Sequence, residues 1–279
     1  MKRIVIDENY LADVNPVYRG FFGKILAILT LKTFGIDKIN SLCARHSDVI
    51  STDFTHEVLR DIDVSYKVVN EHLLNSLPEG SFITVSNHPF GSVDGVILID
   101  ILARIRPDFK VMVNGLLTRI RSLNSNFIGV EPVKGKSKSD VSHNLKGVRE
   151  SIRHIRENHP IGFFPAGAIS FKNFKTGKIE DRTWQANALH LIKQARVQIF
   201  PVFFEGTNSW FFHQLGLISW KIREIRIAHE LFNKRGKCFN VFIGEPISVD
   251  RQDQFSDLYS FGTFLKQTTY ELPSLFNKK

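Results

Sequence analysis

What constrains this chain most is a rhythm. From residue 81 onward, short apolar runs alternate with helical patterns, and Pro and Gly mark the switches between them. Residues 81–86 read as a buried strand and 96–105 as the helix after it, with strands over 109–113 and Phe127–Val130 next. Over 141–155 the apolar positions Val141, Leu145, Val148, Ile152 and Ile155 step by four and three, which predicts a helix capped by Ser139 or Asp140. Residues 161–164, Ile199–Phe204 and 239–243 read as further strands, and 184–195 as a helix. Strands separated by helices of about 10–15 residues predict an α/β fold, a mainly parallel central sheet flanked by helices. In such sheets ligands bind beyond the carboxyl ends of the strands.

Ahead of this pattern, residues 17–36 place Phe21, Phe22, Ile25, Ile28, Leu29 and Leu31 among the flanking Lys24 and Lys32. That is the pattern of an amphipathic helix, one packed on the protein's own core or one lying in a membrane interface. The expected organisation is an N-terminal helical segment over 1–60, a candidate membrane contact, and one larger domain over 61–279. The opening MKRIVIDENY is not expected to act as a signal peptide, because acidic residues interrupt any apolar run. No stretch of about 18 apolar residues is present to span a bilayer, so the chain is expected to lie on a membrane rather than cross it.

The 37 Lys and Arg against 28 Asp and Glu give a net charge of +9, which attracts phospholipid headgroups, nucleic acid or an acidic carrier protein. The 24 Phe against 5 Tyr favour an apolar surface or channel over a base-stacking platform. Zinc-finger spacing, an RNA-binding aromatic signature and a basic helical arm are all missing, so no nucleic-acid partner is expected. The two cysteines, Cys43 and Cys238, imply neither a disulfide nor a metal site and fit a reducing compartment.

Three blocks carry possible chemistry. Directly after the first strand comes Asn87-His88-Pro89-Phe90-Gly91-Ser92-Val93-Asp94-Gly95. Pro89 fixes its own φ and Gly91 permits a turn, so His88 is expected in a shaped loop with Asp94 in the first turn of the next helix. The two meet only if the chain turns between them. If they meet, they make the base half of a triad. No G-x-S-x-G accompanies them, and a base without a protein nucleophile activates an acceptor hydroxyl or amine directly. The alternative is a plain turn with an Asp cap. The second block, Phe163-Phe164-Pro165-Ala166-Gly167-Ala168-Ile169-Ser170, is a strand running into a small-residue loop whose N–H groups suit an oxyanion. The third, Phe200-Pro201-Val202-Phe203-Phe204-Glu205-Gly206-Thr207-Asn208-Ser209, is a strand with a polar end.

In this order and spacing the blocks resemble the glycerolipid acyltransferase family that includes 1-acylglycerol-3-phosphate acyltransferases, over roughly residues 65–250. They are most similar to the bacterial branch called hemolysin-like or lyso-ornithine-lipid O-acyltransferase. There the first block reads NHP-x-G-x-x-DG, the next FPAG, and a G-x-I-x-D-x-x-W stretch follows, matched here by Gly177-Lys178-Ile179-Glu180-Asp181-Arg182-Thr183-Trp184. The resemblance implies His88 as general base and Asp94 as its partner, with Asn87, Pro165, Gly167, Ser170, Glu205 and Gly206 lining the substrate site. It further implies acyl-CoA or acyl-acyl-carrier protein as donor, no metal or organic cofactor, a lysolipid acceptor, and a peripheral place on the cytoplasmic face of the inner membrane. The branch label implies no pore-forming activity.

The chain also departs from the broad family. Five residues lie between His88 and Asp94 instead of four; Ala166 stands for a Glu and Ile169 for an Arg of FPEGTRS; and Gly129-Val130-Glu131-Pro132-Val133 lacks the phosphate-holding Arg. The expected acceptor is therefore a lyso-aminolipid, an acylated amino acid with a free hydroxyl, rather than lysophosphatidic acid. Lys134, Lys136 and Lys138 either restore the missing charge or form a solvated loop. Lys146, Arg149, Arg153 and Arg156 form either a carrier-protein docking face or a solvated one. Trp210, Phe211, Phe212, Leu215, Leu217, Ile218 and Trp220 suit either a membrane interface or core. The rival readings are a hydrolase in which His88 activates water and a non-catalytic lipid-binding protein.

Overall fold

The computed structural model describes residues 6–130, 138–173, 175–218, 223–224 and 226–276. Helices α1 (Glu8–Val14), α2 (Gly20–Thr33), α3 (Ile36–Arg45) and α4 (Ser51–Asp61) come first. Then follow β1 (Val64–Val69), β2 (Ile83–Ser86), α5 (Val93–Ile105), β3 (Lys110–Asn114), β4 (Phe127–Val130), α6 (Lys138–Arg156) and β5 (Ile161–Phe163). The chain continues through β6 (Phe171–Lys172), β7 (Ile179–Glu180), α7 (Ala186–Ala195), β8 (Ile199–Phe204), α8 (Trp210–Ile218), α9 (Ile227–Phe232), β9 (Lys237–Ile243), α10 (Val249–Asp253) and α11 (Leu258–Phe276).

The apolar runs become the middle of a seven-stranded sheet ordered β1-β9-β8-β2-β5-β3-β4. Within this sheet all pairings are parallel except β8 with β9, so β1 and β9 run against the other five, while β6 and β7 form a separate antiparallel pair. Every residue of β2 is buried, as a strand covered on both faces requires. Ile83 and Val85 point into a core with Trp184, Leu189, Ile192, Phe261 and Leu265. On the other face Val202 and Phe204 of β8 join Phe54, Leu59, Ile97, Leu102 and Phe109. The neighbouring strands β8, β2 and β5 all end on one side, and their ends carry the three motif blocks.

Several boundaries move. Helix α6 reaches back to Lys138, so Ser139 and Asp140 lie inside it rather than capping it. The helix expected from Trp184 starts at Ala186, because the Trp184 indole is engaged with Asp181. The pattern over 17–36 breaks at Gly35, whose φ of 70° starts a new helix. On α2 the large side chains do not face the core: Gly23, Ala27 and Leu31 are buried, while Phe21 and Phe22 are 77% and 82% exposed. Phenylalanines fill the interior instead, and the apolar void between Leu74, Leu98, Phe200 and Val241 measures about 10 Å³. That void is too small to hold an acyl chain.

Candidate active site

Strand β2 ends by delivering Asn87 and His88. The Asn87 amide is spent on β8: its Nδ2 donates to the Phe204 carbonyl at 3.0 Å and its Oδ1 accepts from the Phe204 N–H at 2.7 Å. Asn87 thereby fixes where the loop leaves the sheet. Gly91 then turns the chain at φ 77°, and a Cβ there would collide with Ile227 and Ile169. The turn brings the fully buried Asp94 back onto His88, with Asp94 Oδ2 2.9 Å from His88 Nδ1. The same oxygen accepts the N–H groups of Phe90 and Gly91 at 3.0 and 3.1 Å, and Oδ1 accepts that of Gly95 at 3.0 Å. This places a carboxylate in the first turn of α5, where the helix dipole favours negative charge.

Burial opposes ionisation of Asp94, but His88 and the Phe90 and Gly91 N–H groups outweigh it and hold its pKa below the usual carboxylate value. Burial likewise opposes the His88 imidazolium, yet Asp94 at contact and Asp181 at longer range raise its pKa above the ordinary 6.5. With Nδ1–H given to Asp94, the free lone pair is on Nε2, which has no partner among the described residues. The ring packs on Phe164, with centroids 4.3 Å apart. A half-buried imidazole with a free Nε2 and a buried carboxylate behind it can take a proton from a bound hydroxyl and hold the resulting charge.

The second block closes over the first. Ser170 N–H donates to the His88 carbonyl at 2.9 Å. The Ser170 hydroxyl donates to Asp181 Oδ1 at 2.6 Å, and the His88 N–H reaches the same oxygen at 3.3 Å. Trp184 Nε1 donates to Asp181 Oδ2 at 3.2 Å, and the Asp181 N–H donates to the Tyr270 hydroxyl of α11 at 2.7 Å. Burial raises the Asp181 pKa, against the pull of Ser170 and His88. In the sequence the one signal for Asp181 is the G-x-I-x-D-x-x-W stretch, which carries no role for it by itself.

The Gly167 N–H is committed to the Phe164 carbonyl at 2.9 Å, so it is not an open oxyanion donor. In the same loop the Ala168 and Ile169 N–H groups have no partner among the described residues and take over that candidacy. Gly167 holds a turn at φ 59° against Gln185, and the Pro165 carbonyl accepts the Gln185 N–H at 2.9 Å. Glu205 is bonded to Asn240 at 2.7 Å, and Gly206 makes room for the Phe90 ring. Four of the expected lining residues (Asn87, Pro165, Gly167 and Gly206) therefore shape the loops, and Ser170 joins them through Asp181. Among the described residues no group of three or more His, Cys, Asp or Glu side chains converges as metal ligands do. Lys134, Lys136 and Trp220 lie outside the described residues.

Comparison with known proteins finds relatives that span most of the chain. A lyso-glycine lipid O-acyltransferase of Bacteroides thetaiotaomicron is 28% identical over 281 residues, covering 95% of this chain and 99% of that protein. A second, from Phocaeicola vulgatus, is 28% identical over 85% of this chain and 83% of its own length. The crystal structure of a 1-acyl-sn-glycerophosphate acyltransferase from Thermotoga maritima superposes with a TM-score of 0.49 at 15% identity, covering 92% of this chain and 98% of that one. The sequence profile of a family described as acyltransferase matches residues 11–277. Since that match takes in the His88 loop, the block ending at Ser170 and the helices that brace them, the chain belongs to the acyltransferase family.

Proposed function

We propose that this protein moves a fatty acyl group from the thioester of acyl-acyl-carrier protein or acyl-CoA to the hydroxyl of a lysolipid, an acylated amino acid in preference to lysophosphatidic acid. The observation that carries the reading is the His88–Asp94 pair with Nε2 free and, among the described residues, no serine or cysteine side chain hydrogen-bonded to it. His88 Nε2 takes the acceptor's hydroxyl proton as that oxygen bonds to the thioester carbonyl carbon. The carbonyl oxygen becomes an oxyanion, met by the backbone N–H groups of Ala168 and Ile169. The intermediate collapses with loss of the carbon–sulfur bond, and the imidazolium returns its proton to the leaving thiolate. Asp94 stabilises the imidazolium in between. The aminolipid preference is supported by the names of the two relatives and by Ala166 and Ile169 in place of a phosphate-recognition pair.

The acceptor is a lipid, and the surface fits one. Phe21, Phe22, Ile25, Leu26, Ile28 and Leu29 of α2 are exposed, as are Trp210, Phe211, Leu217 and Ile218 of α8. His229 of α9 bonds the Thr33 carbonyl at 2.7 Å, tying the end of α2 to the segment after α8. No described helix is long and apolar enough to cross a membrane. A peripheral position on an anionic bilayer, with these helices in the interface, accounts for the exposed aromatics and the net charge of +9. We place it on the cytoplasmic face of the inner membrane.

The test is to incubate the protein, and its His88→Ala variant, with labelled acyl-acyl-carrier protein or acyl-CoA and a panel of lyso-aminolipids and lysophosphatidic acid. Label moving to one acceptor, and not in the variant, supports the reading. Label released only as free fatty acid makes the protein a hydrolase, and no turnover with anionic vesicles present makes it a lipid binder.

A further inference from the structure

Arg223 is buried, 7% exposed, yet among the described residues no carboxylate lies within ion-pair distance of it and its Nε meets no acceptor. Its contacts are the Phe212 ring, 5.5 Å from the guanidinium, and the backbone of Gly216, where a Cβ would come within 3.0 Å of Arg223 Cδ. Glu224 beside it is exposed, acts on it only through the field, and forms no ion pair among the described residues. The undescribed neighbours 219–222 and 225 contain no Asp or Glu. Guanidinium groups stay charged in proteins, and a buried charge with no partner is costly unless something that binds there completes it.

The surroundings point to what that something is. Among the described residues, the other charge besides Glu224 that Arg223 feels is Arg182, whose guanidinium donates to the Ala166 and Gly167 carbonyls at 3.0 and 3.2 Å. Arg182 follows Asp181, the carboxylate that receives the His88 N–H. Four positions after Arg223 in the sequence, Ile227 packs on Gly91 of the His88 loop. Two positive groups therefore lie within electrostatic reach of each other, Arg182 bonded to the 166–167 carbonyls and Arg223 packed on Phe212. His213 adds a third polar group: burial and Arg223 hold its pKa down at about 4, so it stays neutral and does not neutralise an anion's partner. Its Nδ1 is also buried without a bond.

We infer that Arg223, with Arg182 beside it, binds the oxyanion head of the acceptor lipid, and that this head is a carboxylate. This deepens the proposed function and rests on it, since an N-acylated amino acid with an uncharged side chain, such as glycine, carries a carboxylate as its one formal charge. A guanidinium takes a carboxylate through two parallel N–H donors, a geometry a lysine does not reproduce. The site replaces in function the phosphate-recognition arginines that the motif blocks lack. It draws on a different segment of the chain.

The experiment is calorimetric binding to the His88→Ala protein, in which turnover is stopped, with and without Arg223→Gln. The probes are an N-(3-hydroxyacyl)glycine, its neutral carboxamide, and a lysophosphatidic acid of matched chain length. The expected result is a roughly 10- to 100-fold preference for carboxylate over carboxamide that collapses toward one in Arg223→Gln and is partly kept in Arg223→Lys. Gly216→Leu, which crowds Arg223 from the other side, should reduce the same preference with the arginine in place, and serves if the Gln variant fails to fold. Equal losses for both probes, or none, overturn the inference. Tighter, Arg223-dependent binding of lysophosphatidic acid overturns the carboxylate assignment. Transfer activity of the unmutated protein separates the two readings: transfer with no charge preference sinks this inference alone, and an Arg223-dependent preference without transfer sinks the enzymatic one alone.

Discussion

His88 Nδ1 and Asp94 Oδ2 stand 2.9 Å apart although five residues separate them and Asp94 already belongs to α5. A regular helix pairs side chains three or four apart, so the contact exists only because Gly91 reverses the chain and Asp94 gathers two further N–H groups on the same oxygen. Asp94 →Asn should lower the transfer rate by roughly 100- to 10,000-fold, the range for loss of effective general-base catalysis. The pH profile gives the sign. The neutral ring is the active form and Asp94 raises its pKa above 6.5, so the rate of the unmutated protein climbs with pH through a value above 6.5. Without the Asp94 charge, burial is left to act against the imidazolium, and the acid limb moves down. An acid limb that stays put while the rate falls would remove Asp94 from the base's electrostatics.

The same pair leaves a mark on stability. Asp94 has a lowered pKa when folded, so its contribution is present above its unfolded pKa near 3.8 and is lost as pH falls through the folded value. His88 has a raised pKa, so its contribution is complete below 6.5 and is lost as pH rises through the folded value. Urea midpoints should therefore fall at both ends of the pH range. In His88→Ala the decline on the alkaline side attributable to this pair should disappear. An unchanged alkaline slope in that variant contradicts the coupling.

Asp181 is expected to act through His88 rather than on substrate. It receives the His88 N–H and the Ser170 hydroxyl on one oxygen and is braced by Tyr270 and Lys266 of α11. Asp181→Asn should lower kcat with little change in acceptor KM, and should lower the His88 pKa by removing a nearby negative charge. Histidine NMR titration of the folded variant reads the second effect. A merely structural aspartate would leave that pKa where it is.

These braces show where sequence reading stops. Strands β2 and β8 were legible because both faces are covered and the runs are continuously apolar. Strand β1 (VSYKVV) was not, since its exposed Ser65 and Lys67 break the run at the edge of the sheet and only pairing with β9 makes it a strand. Helix α11 was hidden by its polar positions and by Pro273 inside it. His88 and Asp94 are local in sequence and announced themselves. Asp181 and Tyr270 reach the site across 93 and 89 residues, separations at which periodicity carries no information. Phe21 and Phe22 were visible as one stripe of a helix, but the stripe alone did not say which side faces the core.

That stripe yields a prediction about membranes. Gly23, Ala27 and Leu31 already seat α2 on the protein, so Phe21 and Phe22 add nothing to its packing. Burying each phenylalanine in an interface is worth about 1.5–3 kcal/mol, so replacing both with Ser should weaken vesicle binding by at least roughly 100-fold. The melting temperature in the absence of lipid should hold. Sedimentation with anionic vesicles, with and without added salt, measures the loss and the part due to charge. Unchanged binding would mean that α2 does not face the bilayer.

The loop that carries His88 also rests on an ion pair behind it. Lys234 and Glu230 are 3% and 1% exposed at the side chain, with Nζ and Oε2 3.2 Å apart. Lys234 donates to Asn208 Oδ1 at 2.8 Å, and Asn208 Nδ2 donates to the Phe90 carbonyl at 3.1 Å, inside the catalytic loop. Glu230 in turn accepts the Ser209 N–H and hydroxyl at 2.8 and 2.6 Å. Removing one partner strands the other as a buried charge, which costs about 3–5 kcal/mol, whereas removing both costs much less. Lys234→Met should therefore lower the urea midpoint sharply, and Glu230→Gln with Lys234→Met should recover a large part of it. The recovered double variant should still transfer more slowly than the parent, because Asn208 has lost the donor that aims it at Phe90. If the double variant recovers stability and full rate together, the pair supports the fold without positioning the loop.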